Sequence, residues 1–443
     1  MSNYPVRCRR ALVVLAVLLA ATLAPAQEVR LPDTPPARRL EKFFAAFNSG
    51  KGGKMRQFIS ENYTPQALAE RSARQRTQTY LGIYEQTRGF DLRGIAEAQP
   101  AQISAVAQAR LTGDWWLLTV ATDAAAEDRI PGVVFRTTPR PAEFTPHAKL
   151  APAEIAANLN RYVDRLAKAG RFAGVVLLAG PDGAPLLEKA VGDDYRGRPV
   201  TLRTTFGLAS ITKPFTAVAV VQLAATGKLS FDDRLSKFLP GYPQPAGDQI
   251  TIRELLTHTA GLDPYMGDRY FAKTRSLQSH IDTIGSLPLS FPPGTKFQYS
   301  NAGYFLLRAV VMEASGEDYV PYLEKHIFAP AGMKPEGEAI MTASDLLRFA
   351  AALRGGKLLP PEMWQTVTRG LVPTGEPGVR YAFGFEERTI NGERLVGHAG
   401  GAAHVSAQFD LYDNGYTVVV MSDRGGDPAG QIAMRAADWI TQK

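Results

Sequence analysis

Apolar positions recur along this chain at two periods, and the changes of period divide it. Leu40, Phe43, Phe44 and Phe47 repeat at helical spacing until Gly50 stops them, and Thr34-Pro35 supplies a cap followed by a first-turn proline. Thr64-Pro65 repeats the device ahead of Leu68, Tyr80, Leu81 and Tyr84, so residues 34–89 are expected to be helical. From Phe90 to Thr138 the pattern shortens to strand-like runs, "FDLRGIAE", "QISAVAQARL", "WWLLTVATD" and "PGVVFRTT". Helices followed by an antiparallel sheet predict a small α+β domain over residues 34–138.

The proline-rich residues 139–152 carry no period and are expected to be a linker. A helix from about Ala153 to Lys168 then leads into "FAGVVLLAGPDGAPLLEKAVG", two strands around a Pro-Asp-Gly turn. Near the other end, "ERLVGHAGG" and "AHVSAQFDLYDNGYTVVVMSD" add strands, and a helix from about Pro428 to Thr441 covers them. Between these ends lies a mostly helical stretch, about Thr226 to Arg354. The expected fold of residues 153–443 is therefore an α/β (α+β) domain: an antiparallel sheet from both chain ends, flanked by helices, with a helical subdomain. A ligand cleft is expected between the two parts.

The first residues have a different character. Arg7, Arg9 and Arg10 precede the apolar run Ala11–Leu23 and the small-residue site Ala24-Pro25-Ala26, the pattern of a signal peptide over residues 1–26. That run is too short to span a bilayer as the only anchor, so a periplasmic or secreted chain with no membrane span is expected. Its removal takes away three arginines, lowering the formal net charge from +7 to +4. So mild an excess gives no reason to expect a nucleic-acid partner. The single cysteine, Cys8, leaves with the signal, which excludes disulfides and thiolate chemistry from the mature chain. No metal or organic cofactor is implied, and the oligomeric state is left open.

Candidate chemistry begins in "GLASITKPFTAVAVVQLAATGKL", where Lys213 follows Ser210 by three residues. Serine is favoured as a helix cap, but a capping box would carry Glu or Gln where Lys213 stands. A cation in the first turn opposes the helix dipole, and Ile211, Phe215, Val218 and Val220 surround it with apolar groups. Both effects lower a lysine pKa, making Lys213 a candidate base for the Ser210 hydroxyl. Alone the tetrad is weak, because about one Ser-x-x-Lys arises by chance in a chain of this length. Two further motifs accompany it: Tyr299-Ser300-Asn301 on a loop at a helix start, and His398-Ala399-Gly400-Gly401 on a strand. A second Tyr-x-Asn, at Tyr412 to Asn414, lies in a hairpin turn that explains its residues conformationally.

The order Ser-x-x-Lys, Tyr-x-Asn, His-x-Gly resembles the serine β-lactamase and penicillin-binding-protein superfamily, specifically its class C branch of esterases, D-aminopeptidases and D-alanyl-D-alanine carboxypeptidases. The likeness runs from about Leu159 to Trp439 and includes "GKLSFDDRLSKFLPGYP", "ITIRELLTHTAGL", "FPPGTKFQYSNAGYFLL" and "YVPYLEKHIFAPAGM". It implies a β-lactamase-like fold with Ser210, Lys213 and Tyr299 as catalytic residues. It also implies an oxyanion hole from the N–H groups of Ser210 and Gly401, and substrate contacts from Asn301, His398, Ala399 and Gly400. His258 in "LLTHTAGL" is read as structural. The third motif departs from the Lys-Thr-Gly of true lactamases, since Ala399 has no hydroxyl, so small-molecule esters or peptide-like amides are the expected substrates. A D-amino-acid peptidase or weak β-lactamase is the alternative. A non-catalytic cell-wall or ligand-binding protein is the rival from another class, as is a main function in the N-terminal domain. That domain resembles the cone-shaped nuclear-transport-factor-like domains in element order and in "FFAAFNSG".

Overall fold

The computed structural model describes residues 29–138, 140–141, 144, 148–265, 276–376 and 378–442. The expected signal peptide lies outside the described residues, and so does part of the expected linker.

Four helices, Pro35–Asn48, Gly52–Asn62, Pro65–Glu70 and Ala73–Thr87, open the chain. A four-stranded antiparallel sheet in sequential order follows, Phe90–Gln99, Gln102–Ala109, Trp115–Ala121 and Val133–Thr138. Phe43 and Phe47 project from the first helix into one aromatic cluster with Phe58, Tyr80, Phe90 and Phe135. Thr64 caps its helix by accepting from the Ala67 N–H, but Thr34 makes no such bond and leaves that start to Pro35.

The larger domain is built on an eight-stranded antiparallel sheet. Its order is Pro185–Val191, Gly174–Ala179, Thr417–Ser422, Val405–Tyr412, Glu393–Ala402, Glu386–Ile390, Val379–Tyr381 and Val372–Pro373. The Gly174–Ala179 strand pairs directly with Thr417–Ser422, so the two ends of this domain meet one strand in from the sheet's edge. Both strands are buried throughout because helices cover both faces. Val176, Leu178, Val418 and Val420 pack under the helices Pro152–Lys168 and Pro428–Ile440. Their alternating neighbours Val175, Leu177, Val419 and Met421 enter the larger core on the other face, with the helix Thr212–Ala225. That helix is buried on all sides, with Phe215, Ala217, Val218, Val220 and Val221 all in the core. No described helix is long and apolar enough to cross a membrane.

The small domain docks on the outer helical face, opposite the Thr212–Ala225 helix. The Tyr162 hydroxyl donates to both oxygens of Asp114 at 2.8 and 2.9 Å. Beside it, Arg435 pairs with Asp438 at 3.0 Å, and Asp438 accepts from the Arg140 N–H at 3.1 Å. Burial pushes the Asp114 carboxyl above its ordinary range, so the Tyr162 bond offsets part of a desolvation cost. Tyr162→Phe should therefore destabilise the protein by about 1–3 kcal/mol. Urea denaturation of the two proteins measures this, and an unchanged midpoint would show that the bond contributes nothing.

Candidate active site

The chain reaches Ser210 through a sharp turn. Thr205–Gly207 pairs with Ile340–Thr342, and Leu208 donates its N–H to Ala339 at 2.9 Å. Ala209 then adopts φ +46°, a left-handed conformation that costs a non-glycine residue energy. A single 3₁₀ turn over Ala209–Ile211 follows before the helix begins at Thr212. Ser210 is thus not a helix cap: its side chain makes no capping bond and stands at a cavity of about 500 Å³.

Lys213 lies on the first turn of the buried helix and is only 4% exposed. Its ammonium nitrogen is 3.1 Å from Ser210 Oγ and 2.8 Å from Asn301 Oδ1. It also lies 4.8 Å from the ring centre of Tyr299 and 5.4 Å from that of Tyr304. Those aromatic faces favour the charged form, yet desolvation outweighs them and pushes the amine down to about 7. The Tyr299 hydroxyl donates to Ser210 Oγ at 2.8 Å. Burial raises the Tyr299 pKa well above that of a free phenol. Its proton therefore stays in place at neutral pH.

Tyr299 owes its position to His258, which adopts φ +58°. The His258 carbonyl accepts from the Gln298 N–H at 2.9 Å, and its Nδ1 accepts from the Ser300 N–H at 3.1 Å. The residues on either side of Tyr299 are thus held by one histidine. The ring is fully buried, and burial holds it neutral. His258 accordingly has a structural task in this geometry.

The structure brings Ser210, Lys213, Tyr299 and Asn301 into mutual contact, and Gly401 lines the same cavity. It does not bring the His398 ring to that cavity. His398 is 2% exposed, and its Nε2 accepts from the Tyr381 hydroxyl at 3.0 Å. Its Nδ1–H donates to the Ala399 carbonyl at 2.7 Å. Burial lowers its pKa to about 4, so it is neutral at physiological pH. Ala399 is occupied by this contact, and Gly400 faces the turn that presents Ser210. A Cβ at Gly400 would lie 2.2 Å from the Leu208 carbonyl oxygen, whereas one at Gly401 would meet nothing within 4 Å. The second Tyr-x-Asn, Tyr412 to Asn414, sits on the hairpin between two central strands, where Tyr412 packs in the outer core.

Four neighbours escaped the sequence reading. Tyr381 comes from a three-residue strand with no periodic signal. Tyr304 and Arg308 were legible in principle, since they lie three and seven residues beyond Asn301 on its helix. Glu338 reaches the cavity from a loop.

A serine in contact with a buried lysine and a tyrosine stands beside a helical subdomain and a flanked antiparallel sheet, and known proteins share parts of this chain's sequence and fold. Residues 159–335 match the family described as Beta-lactamase. Penicillin-binding protein 4* of Bacillus subtilis (strain 168) is 36% identical over 185 residues, covering 40% of this chain and 40% of the relative. Esterase EstB of Burkholderia gladioli is 31% identical over 252 residues, covering 53% of this chain and 63% of the esterase. The chain thus spans less than two thirds of either relative. Among solved structures, a penicillin-binding protein from Bacillus halodurans superposes with a TM-score of 0.55 at 26% identity, covering 65% of this chain and 98% of that one. Over these residues the chain is similar to the serine β-lactamase and penicillin-binding-protein-like superfamily.

The contrast between the paired glycines is testable. Gly400→Ala presses a methyl on backbone that cannot yield and should cost about 1–3 kcal/mol, while Gly401→Ala should leave stability within about 0.5 kcal/mol. Thermal denaturation of the two variants distinguishes them.

Proposed function

We propose that this protein is a serine hydrolase that works through an acyl-enzyme on Ser210. The observation that carries the reading is the pair of hydrogen bonds on Ser210 Oγ, one from an amine that titrates near neutrality and one from a protonated phenol. Ser210 Oγ attacks the substrate carbonyl while Lys213 takes its proton. The oxyanion so formed faces the N–H groups of Ser210 and Gly401. Collapse breaks the bond to the leaving group, which takes a proton from Tyr299, and Lys213 replenishes the phenol. Water then attacks the ester on Ser210, releasing the acid and restoring the hydroxyl. Lys213 is the first base because Tyr299 has no phenolate to offer in the free enzyme.

The substrates are esters or peptide-like amides. A neutral His398 turned away from the cavity, next to an alanine, supplies neither cation nor hydroxyl for a β-lactam carboxylate. The names of the curated relatives, a penicillin-binding protein and an esterase, span the same chemistry. The N-terminal signal pattern supports a periplasmic or secreted location.

Two measurements test this. Ser210→Ala should lower p-nitrophenyl butyrate hydrolysis by about 10⁴-fold or more, with a melting temperature close to that of the parent. Full activity in the variant would overturn the scheme. The pH profile follows from Lys213: its amine must be neutral to accept the proton, so kcat/KM should rise with pH through about 7 and level off above it. At pH 5 only about one molecule in a hundred carries the neutral amine, and a rate flat from pH 5 to 8 would exclude Lys213 as the base.

A further inference from the structure

The cavity at Ser210 has a second, chemically different end. Asn301, Phe305 and Arg308 all line it from one helical face, at positions i, i+4 and i+7. At about 1.5 Å per residue, Arg308 stands about 10 Å along the axis from Asn301. There its Nη2 donates to both carboxylate oxygens of Glu338 at 2.8 Å. The guanidinium lies 4.5 Å over the ring of Tyr319, whose hydroxyl meets that of Thr216 at 2.6 Å. The ion pair is 28% and 26% exposed on its two sides. Arg308 Nε is buried without a hydrogen-bond partner among the described residues. That nitrogen is sealed from solvent, and it is the partly exposed remainder of the Arg308–Glu338 pair that lines the cavity shared with Ser210.

Such a pair selects by hydrogen bonding more than by charge. A cation would meet Arg308 and an anion would meet Glu338, while the pair as a whole is neutral. A long alkyl chain would strip water from both ions and return no hydrogen bond. An uncharged group with both N–H and C=O can donate to Glu338 and accept from Arg308. Asn301 lines this cavity and Tyr299, the proposed leaving-group donor, does not. The cavity therefore receives the acyl side of the substrate.

We propose that Arg308 and Glu338 form an acyl-side specificity subsite for an uncharged carboxamide or peptide group, about 10 Å along the helix from Asn301, and that they disfavour long alkyl chains. This rests on Ser210 as the acylated residue and names the substrate class of that site. Two p-nitrophenyl esters of equal shape, the 6-carbamoylhexanoate and the 7-methyloctanoate, differ only in a terminal carboxamide against an isopropyl group. Calorimetric binding to Ser210→Ala should favour the carboxamide by about tenfold or more. Adding Arg308→Met and Glu338→Met should abolish or invert that preference. Glu338→Gln, which keeps the volume and leaves Arg308 unpaired, should instead improve binding of the 6-carboxyhexanoate ester by about tenfold. Equal affinities in the Ser210→Ala protein, or a preference that survives loss of the pair, would overturn the subsite. Turnover of p-nitrophenyl acetate by the parent protein, an ester too short to reach the pair, reports separately on the hydrolase reading.

Discussion

The site depends on how thoroughly Lys213 is taken out of water. Its helix is embedded between the central sheet and the helical subdomain, so the side chain at its first turn is desolvated by the packing that holds the domain together. Asn301 supplies a neutral acceptor, and among the described residues no carboxylate raises the pKa of the amine. Had an Asp or Glu stood in Asn301's place, the amine would have stayed charged and been useless as a base. Core packing and proton affinity are here one constraint: the same apolar contacts that stabilise the helix remove the solvent that would keep its lysine protonated.

Holding such a lysine against a serine and a tyrosine requires backbones from three parts of the chain to approach closely. Ala209 and His258 accept left-handed conformations to do so, one presenting Ser210 and the other gripping both neighbours of Tyr299. Gly400 lets the Glu393–Ala402 strand close on the nucleophile turn. The Glu386–Ile390 strand pairs with that strand only as far as Gly397, so residues 398–402 are free of that neighbour, and Gly401 and Ala402 among them line the cavity. Strain and close contact are concentrated where geometry has to be held, which is where packing elsewhere can sustain them.

The fold was legible because its periods are strong. Continuous apolar runs such as "GVVLLA" and "TVVVMS" signal strands covered on both faces, and the two flanking helices carry clear amphipathic spacing. Ser210, Lys213, Tyr299 and Asn301 were legible because motif order survives in one dimension. His398 shows the limit of that method. Its position in the motif suggested contact with substrate, but ring direction depends on Tyr381, a residue from a short strand whose proximity no spacing announces. The pairing of Arg308 was hidden for a different reason: its partner Glu338 lies thirty residues away on a loop, and only the fold joins them.

The placement of the small domain separates two roles of the sheet. Its contacts run through Asp114, Tyr162, Arg140 and Asp438 on the outer helices, while the reacting groups and the Arg308–Glu338 pair lie on the opposite side. None of the residues lining the cavity belongs to the small domain. The sheet stands between the site and that docking surface and couples them, because strands packed on both faces cannot shift on one without disturbing the other. Any influence of the small domain on turnover must pass through those strands, and the Gly174–Ala179 strand with its partner Thr417–Ser422 is the route the packing provides.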